Sequence, residues 1–109
     1  MAYDEGVAEI MREVLVDEIG VTERKMFGGL CFLLNGNMIC GVHKDGAMFR
    51  VGKPSEAQAL CIDGTGPMTF TGRPMGGMVD ANLECVSDDQ RMAQLMRLSL
   101  THAKTLPPK

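Results

Sequence analysis

The chain has 109 residues, 45% of them hydrophobic, and carries a net charge of −3 at pH 7. That length suits one domain with its own core, and with that composition a disordered chain is not expected. The acidic balance, with a pI near 5.3, argues against a protein whose main task is gripping the nucleic-acid backbone.

No apolar run approaches the roughly 20 residues that span a bilayer, and the start, MAYDEGVAEIM, lacks the basic and apolar parts of a signal peptide. A cytoplasmic protein without a membrane partner is expected, with its four cysteines reduced. Ten methionines, one tyrosine and no tryptophan point to a core or interface filled by flexible side chains.

In chain order, Val7, Ala8, Ile10, Met11, Val14, Leu15 and Ile19 recur at helical spacing and predict a helix over 4–19 with one apolar stripe. Acidic side chains surround that stripe, and Gly20 can take the left-handed conformation that ends a helix. A strand is predicted over 22–26, and Gly28-Gly29 breaks it.

The middle, KMFGGLCFLLNGNMICGVHKDGAMFRV, reads as antiparallel strands joined by tight turns. Asn35-Gly36 and Asp45-Gly46 are dipeptides favoured by turns that need positive φ. If each closes a two-residue loop, Leu33 faces Met38, Cys31 faces Cys40, and His43 faces Met48. Side chains alternate between faces, so Cys31, Leu33, Met38, Cys40, Val42, Phe49 and Val51 share one side. Leu30, Phe32, Leu34, Ile39, His43, Met48 and Arg50 share the other. That second side is too apolar for water, so a homodimer interface through Phe32, Ile39 and Met48 is expected. A one-residue slip would exchange the two sets.

Pro54 suits the first turn of a short helix from about Ser55 to Leu60, and 61–67 reads as loop. Short strands are expected at 68–71 and 78–79. The glycines between them, GRPMGG, form a candidate anion-binding nest with Arg73 as the side chain that holds the anion. Ser87 and Gln90 make a capping-box signature for a last helix running to about Thr105, whose apolar surface is broader than one stripe needs.

Few residues carry recognisable chemistry. The cysteines at 31, 40, 61 and 85 lack the close spacing of a zinc knuckle, so no metal is expected. Cys31 and Cys40, opposed across the hairpin, form a candidate redox pair. His43 and His102 show no paired motif, and none of the serines lies in a nucleophile elbow. There is no Walker loop and no dinucleotide fingerprint, so no cofactor and no catalytic residue is expected. Arg24, Lys25, Lys44, Arg50, Lys53 and Arg73 gather loosely around the strands, without the interleaved aromatics of a base-stacking surface.

Four segments taken together, MAYDEG, RKMFGGLCFLLNGNMICGV, FTGRPMGG and THAKTLPPK, resemble the TfoX N-terminal domain family of bacterial proteins related to regulators of natural competence. The resemblance covers nearly the whole chain and implies a single domain over residues 1–109. It implies an α+β fold of two layers: a mainly antiparallel sheet with N- and C-terminal helices and a short middle helix, similar to secretion chaperones. It also implies a regulatory protein–protein interaction module linked to competence or transcription regulation, a homodimer with a further protein partner. No catalytic residue carries over, and the second domain of full-length competence regulators is expected to be missing beyond LPPK. The alternatives are a small-ligand or anion-binding protein, or minor enzyme, using a pocket near Arg73, and a weak DNA-binding protein.

Overall fold

A computed structural model describes residues 3–26, 28–70 and 73–108, with the side chains of residues 69–75 left out of the description. Ten elements follow one another among the described residues: α1 (Glu5–Val14), β1 (Val21–Met26), β2 (Gly29–Leu34), β3 (Asn37–His43), β4 (Gly46–Arg50), α2 (Lys53–Leu60), β5 (Thr65–Phe70), β6 (Arg73–Asn82), α3 (Leu83–Ser87) and α4 (Asp89–Ala103). The strands form one sheet in the order β1-β2-β3-β4-β6-β5, and every neighbouring pair is antiparallel. The helices pack on one face of it, so the molecule is the expected two-layer α+β domain.

Capping chemistry sets the helix starts. The Asp4 carboxylate accepts from the Val7 N–H at 3.1 Å and opens α1. This helix ends at Val14, five residues before the predicted end, with Leu15 as its C-cap between β-branched Val14 and Val16. Ile19 therefore leaves the predicted apolar stripe, and both it and Val16 stand in solvent, 93% and 75% exposed. Asp88, not Ser87, caps α4, accepting from the Arg91 N–H at 2.9 Å. The unpredicted α3 is capped by Asn82, whose side chain accepts from the Cys85 N–H at 2.8 Å.

The first hairpin begins as its turn dictates. Asn35 and Gly36 hold φ of 52° and 86°, and Leu34 pairs with Asn37 and Leu33 with Met38. The register then shifts: Phe32 pairs with Cys40, Cys31 with Gly41 and Leu30 with Val42. Ile39 is the extra residue of a bulge, and a bulge turns two successive side chains to one face. Ile39 and Cys40 accordingly both join the helix-covered core. The second hairpin turns at Lys44-Asp45 rather than Asp45-Gly46, pairing His43 with Gly46 and Val42 with Ala47.

The bulge splits each predicted face in two. Leu30, Phe32, Leu34, Ile39, Cys40, Val42 and Phe49 lie under the helices with Met11, Leu95 and Met96. Cys31, Leu33, Met48 and Met78 form a second cluster on the outer face, with Met26, Met38 and Met68 packed around them. Its four buried members are all strand residues, each 8% exposed or less.

Candidate functional site

The fold redistributes the predicted site residues. Phe32, Ile39 and Met48 are each 2% exposed or less within the single chain. Phe32 and Ile39 belong to the helix-side core, and Met48 to the outer cluster. They offer no shared surface to a second molecule, and the predicted dimer interface is corrected on that ground.

The redox pair falls to the same bulge. Cys31 pairs with Gly41 on the outer face, while Cys40 pairs with Phe32 and Phe49 on the helix side. The Cys40 Sγ lies 3.8 Å from the Met11 Sδ and 4.0 Å from that of Met96, a packing role between two helices. Burial pushes the thiols of Cys31, Cys40 and Cys85 upward, away from the reactive thiolate form. All four cysteines are free, and Cys61 alone is exposed.

The glycine loop is strand instead: residues 73–82 form β6, hydrogen-bonded to β4 and β5. Arg73, proposed from sequence as the anion holder, lies outside the residues whose side chains are described. At the other end of the motif, Gly77 has a φ of 82° and donates its N–H to the Glu56 Oε1 at 2.7 Å. The anion that the glycine meets is the protein's own carboxylate.

His43 finds a partner that sequence reasoning did not supply. Its Nε2 lies 2.6 Å from the Asp80 Oδ1, and its Nδ1 accepts from the Asp45 N–H at 3.1 Å. Both ring nitrogens are thus engaged, which suits a clasp between β3 and β6 and leaves neither free to move a proton on a substrate. The hydrogen bond to Asp80 holds the imidazole above the ordinary histidine value, with burial opposing. The two residues are separated by 37 positions, and no local motif joins them.

Arg24, Lys25, Lys44 and Arg50, four of the six basic residues named from sequence, do not gather at one place. Arg24 and Lys25 lie on edge strand β1, Lys44 sits in the β3–β4 turn, and Arg50 ends β4 at the opposite end from Lys44. Elsewhere, Arg12 on α1 is held by Glu9 and by Glu23 of β1, the latter at 2.8 Å, and this contact lowers the Glu23 carboxyl below its usual range. Among the described residues no group of three or more histidine, cysteine or acidic side chains is placed to hold a metal. No described helix is long and apolar enough to cross a membrane.

Two grooves run along opposite sides of α4. One, of about 560 Å³, lies against the end of α2 and is lined by Gln58, Cys61, Ile62, Asp63, Asp88, Gln90, Arg91, Gln94, Arg97 and Leu98. Arg91 is positioned there by the Asp63 carbonyl at 3.2 Å and by Asp88 at 3.5 Å. The other groove, of about 290 Å³, lies between the end of α1 and α4, lined by Val14, Ala93, Met96, Arg97, Leu100, Thr101 and Lys104. Arg97 lines both and stands on the ridge between them. Lys104 closes the second groove by pairing with Glu18 at 3.2 Å, beside exposed Ile19. The broad apolar surface of the last helix was the sequence signal for this second groove.

An open six-stranded antiparallel sheet covered on one face by terminal and middle helices defines a two-layer α+β domain of the type described. The chain belongs to the TfoX N-terminal domain family, whose family model matches residues 14–103. Neither the curated proteins nor the solved structures contain a significant match to it.

Proposed function

We propose that this protein is a regulatory module that works by binding another polypeptide, in the manner of a competence regulator's interaction domain. Membership of the family supports the regulatory part of this reading. The observation that carries the interaction part is the apolar surface at the end of α1. Val14, Val16 and Ile19 are 41%, 75% and 93% exposed, and Val14 lines the groove with Ala93, Met96 and Leu100. Exposed apolar surface of this kind marks interaction sites on proteins that otherwise cover their core.

Affinity capture from the native cell tests this reading, with the wild-type chain and with a Val16→Asp, Ile19→Asp variant in parallel. A partner retained by the first and lost by the second supports it. Equal capture by both, or capture of nothing, contradicts it.

A second reading, binding of a small anion, is favoured by the groove between α2 and α4, where Arg91, Arg97 and three glutamines converge, with Asp63 and Asp88 beside them. It moves the proposed ligand site away from Arg73. A rise in melting temperature with inorganic phosphate that Arg91→Ala removes would support it; no rise would dismiss it.

A further inference from the structure

Three sulfurs meet in the core beneath α1 and α4. The Cys40 Sγ of β3 lies 3.8 Å from the Met11 Sδ of α1 and 4.0 Å from the Met96 Sδ of α4. Cys40 and Met11 are fully buried, and Met96 is 1% exposed. All three belong to the apolar core that holds Phe32, Phe49 and Leu95. The Cys40 thiol has one proton to direct at two thioether acceptors, and it can satisfy only one of them at a time.

We propose that Cys40, Met11 and Met96 form a binding site for a soft monovalent metal ion, copper(I) in its chemistry, held by one thiolate and two thioethers. Ligand type is the first argument, because thiolate and thioether sulfur select copper(I) over harder ions. Spacing is the second. Three sulfurs bonded at about 2.3 Å to one ion in a trigonal plane lie about 4.0 Å apart. Cys40 already keeps that spacing with each methionine. Charge is the third. One thiolate and one monovalent ion sum to zero, whereas a divalent ion such as zinc leaves a net positive charge among hydrocarbon side chains.

The step balances without an oxidant or reductant. The Cys40 S–H bond breaks, a sulfur–metal bond forms, and the proton leaves to water. Without metal, burial pushes the thiol upward and keeps it protonated and inert. Met96 supplies the way in: it lines the α1–α4 groove, and its sulfur touches Cys40. A bound ion ties α1, β3 and α4 together beneath that groove. The rival for such an ion is Cys31 in the outer cluster, with Met48 and Met78 and three further methionines around it.

Metal titration of the full-length chain tests the proposal, in the Cys61→Ala form that lacks the one exposed thiol. Copper(I) is added without air in competition with a chromogenic copper(I) chelator, and silver(I) is added while the methionine methyl resonances are followed by NMR. One ion bound per chain, one proton released per ion, and shifts on the Met11 and Met96 methyls are expected. Met11→Leu and Met96→Leu keep the core filled and are each expected to weaken binding by about tenfold or more. Cys40→Ala is expected to abolish it, while Cys31→Ala leaves it unchanged. Circular dichroism checks that each variant keeps its fold, and the two leucine variants decide the matter if Cys40→Ala does not fold. Absence of one-to-one binding overturns the proposal. So do shifts centred on the outer-face methionines, or an affinity that Met11→Leu and Met96→Leu leave unchanged.

Discussion

Glu56 on α2 accepts the backbone N–H of Gly77 at 2.7 Å, and the Gly77 carbonyl in turn accepts from the N–H groups of Val51 and Gly52 at 2.9 Å. One residue of β6 thus ties the end of β4 to the start of α2. Replacing Glu56 with alanine leaves a half-buried N–H without its acceptor, at a cost of about 1–2 kcal/mol. Glu56→Gln keeps an oxygen in place and is expected to lose less than half as much. Urea unfolding of the two variants, compared at equal m-value, measures the difference.

The register shift at Ile39 dictates the behaviour of the thiols. With Cys31 on the outer face and Cys40 beneath the helices, native protein is expected to expose one reactive thiol, Cys61, to a water-soluble disulfide reagent. All four cysteines should react after denaturation, and mild oxidant should leave that total unchanged. Loss of two thiols from monomeric native protein on oxidation would contradict the observed register.

Ser99 is fully buried on the sheet-facing side of α4, and its hydroxyl has no hydrogen-bond partner among the described residues. A buried polar group without a partner costs free energy that a methyl of similar size does not. Ser99→Ala is expected to raise stability by about 1 kcal/mol, measured as a higher midpoint in thermal or urea unfolding. A clear loss of stability would mean that the hydroxyl is satisfied.

His43 and Asp80 give the fold a modest pH dependence. Asp80 raises the imidazole above the ordinary histidine value near 6.5, so the folded state binds the proton more tightly than the unfolded one. The contribution is complete below that ordinary value and fades as pH rises through the higher folded value. Because the pair is partly exposed, its size is at most about 1 kcal/mol. Asp80→Asn is expected to flatten the stability–pH curve above pH ~6.5, and an unchanged slope would show that the pair is not formed in solution.

Much of this architecture was legible in the residues. Asn35-Gly36 marked a turn whose first two pairs form as expected, and Pro54 marked the first turn of α2. What the pattern could not show was the bulge. Ile39 and Cys40 are both small enough and apolar enough to sit on either face, so alternation continued on paper where the strand in fact slips by one. That single insertion moved Cys40, Val42 and Phe49 to the opposite side from Cys31 and Leu33 and erased both the redox pair and the sheet-face dimer. His43–Asp80 and Glu56–Gly77 stayed hidden for a different reason: each joins segments that only the order of strands brings together. The functional surface was half visible. The excess of apolar residues on the last helix pointed to a contact, but the early end of α1 that exposes Val16 and Ile19 left no stop signal before Gly20.

The central claim is that recognition happens on the helical layer, between the end of α1 and α4, and not on the sheet. Amide-resolved NMR spectra of the wild-type chain, alone and with the protein it captures from the native cell, address it directly. The account predicts shifts on binding centred on Val14, Val16, Ile19, Arg97 and Leu100. Shifts centred on Met26, Met38 and Met68 of the outer sheet face would contradict it.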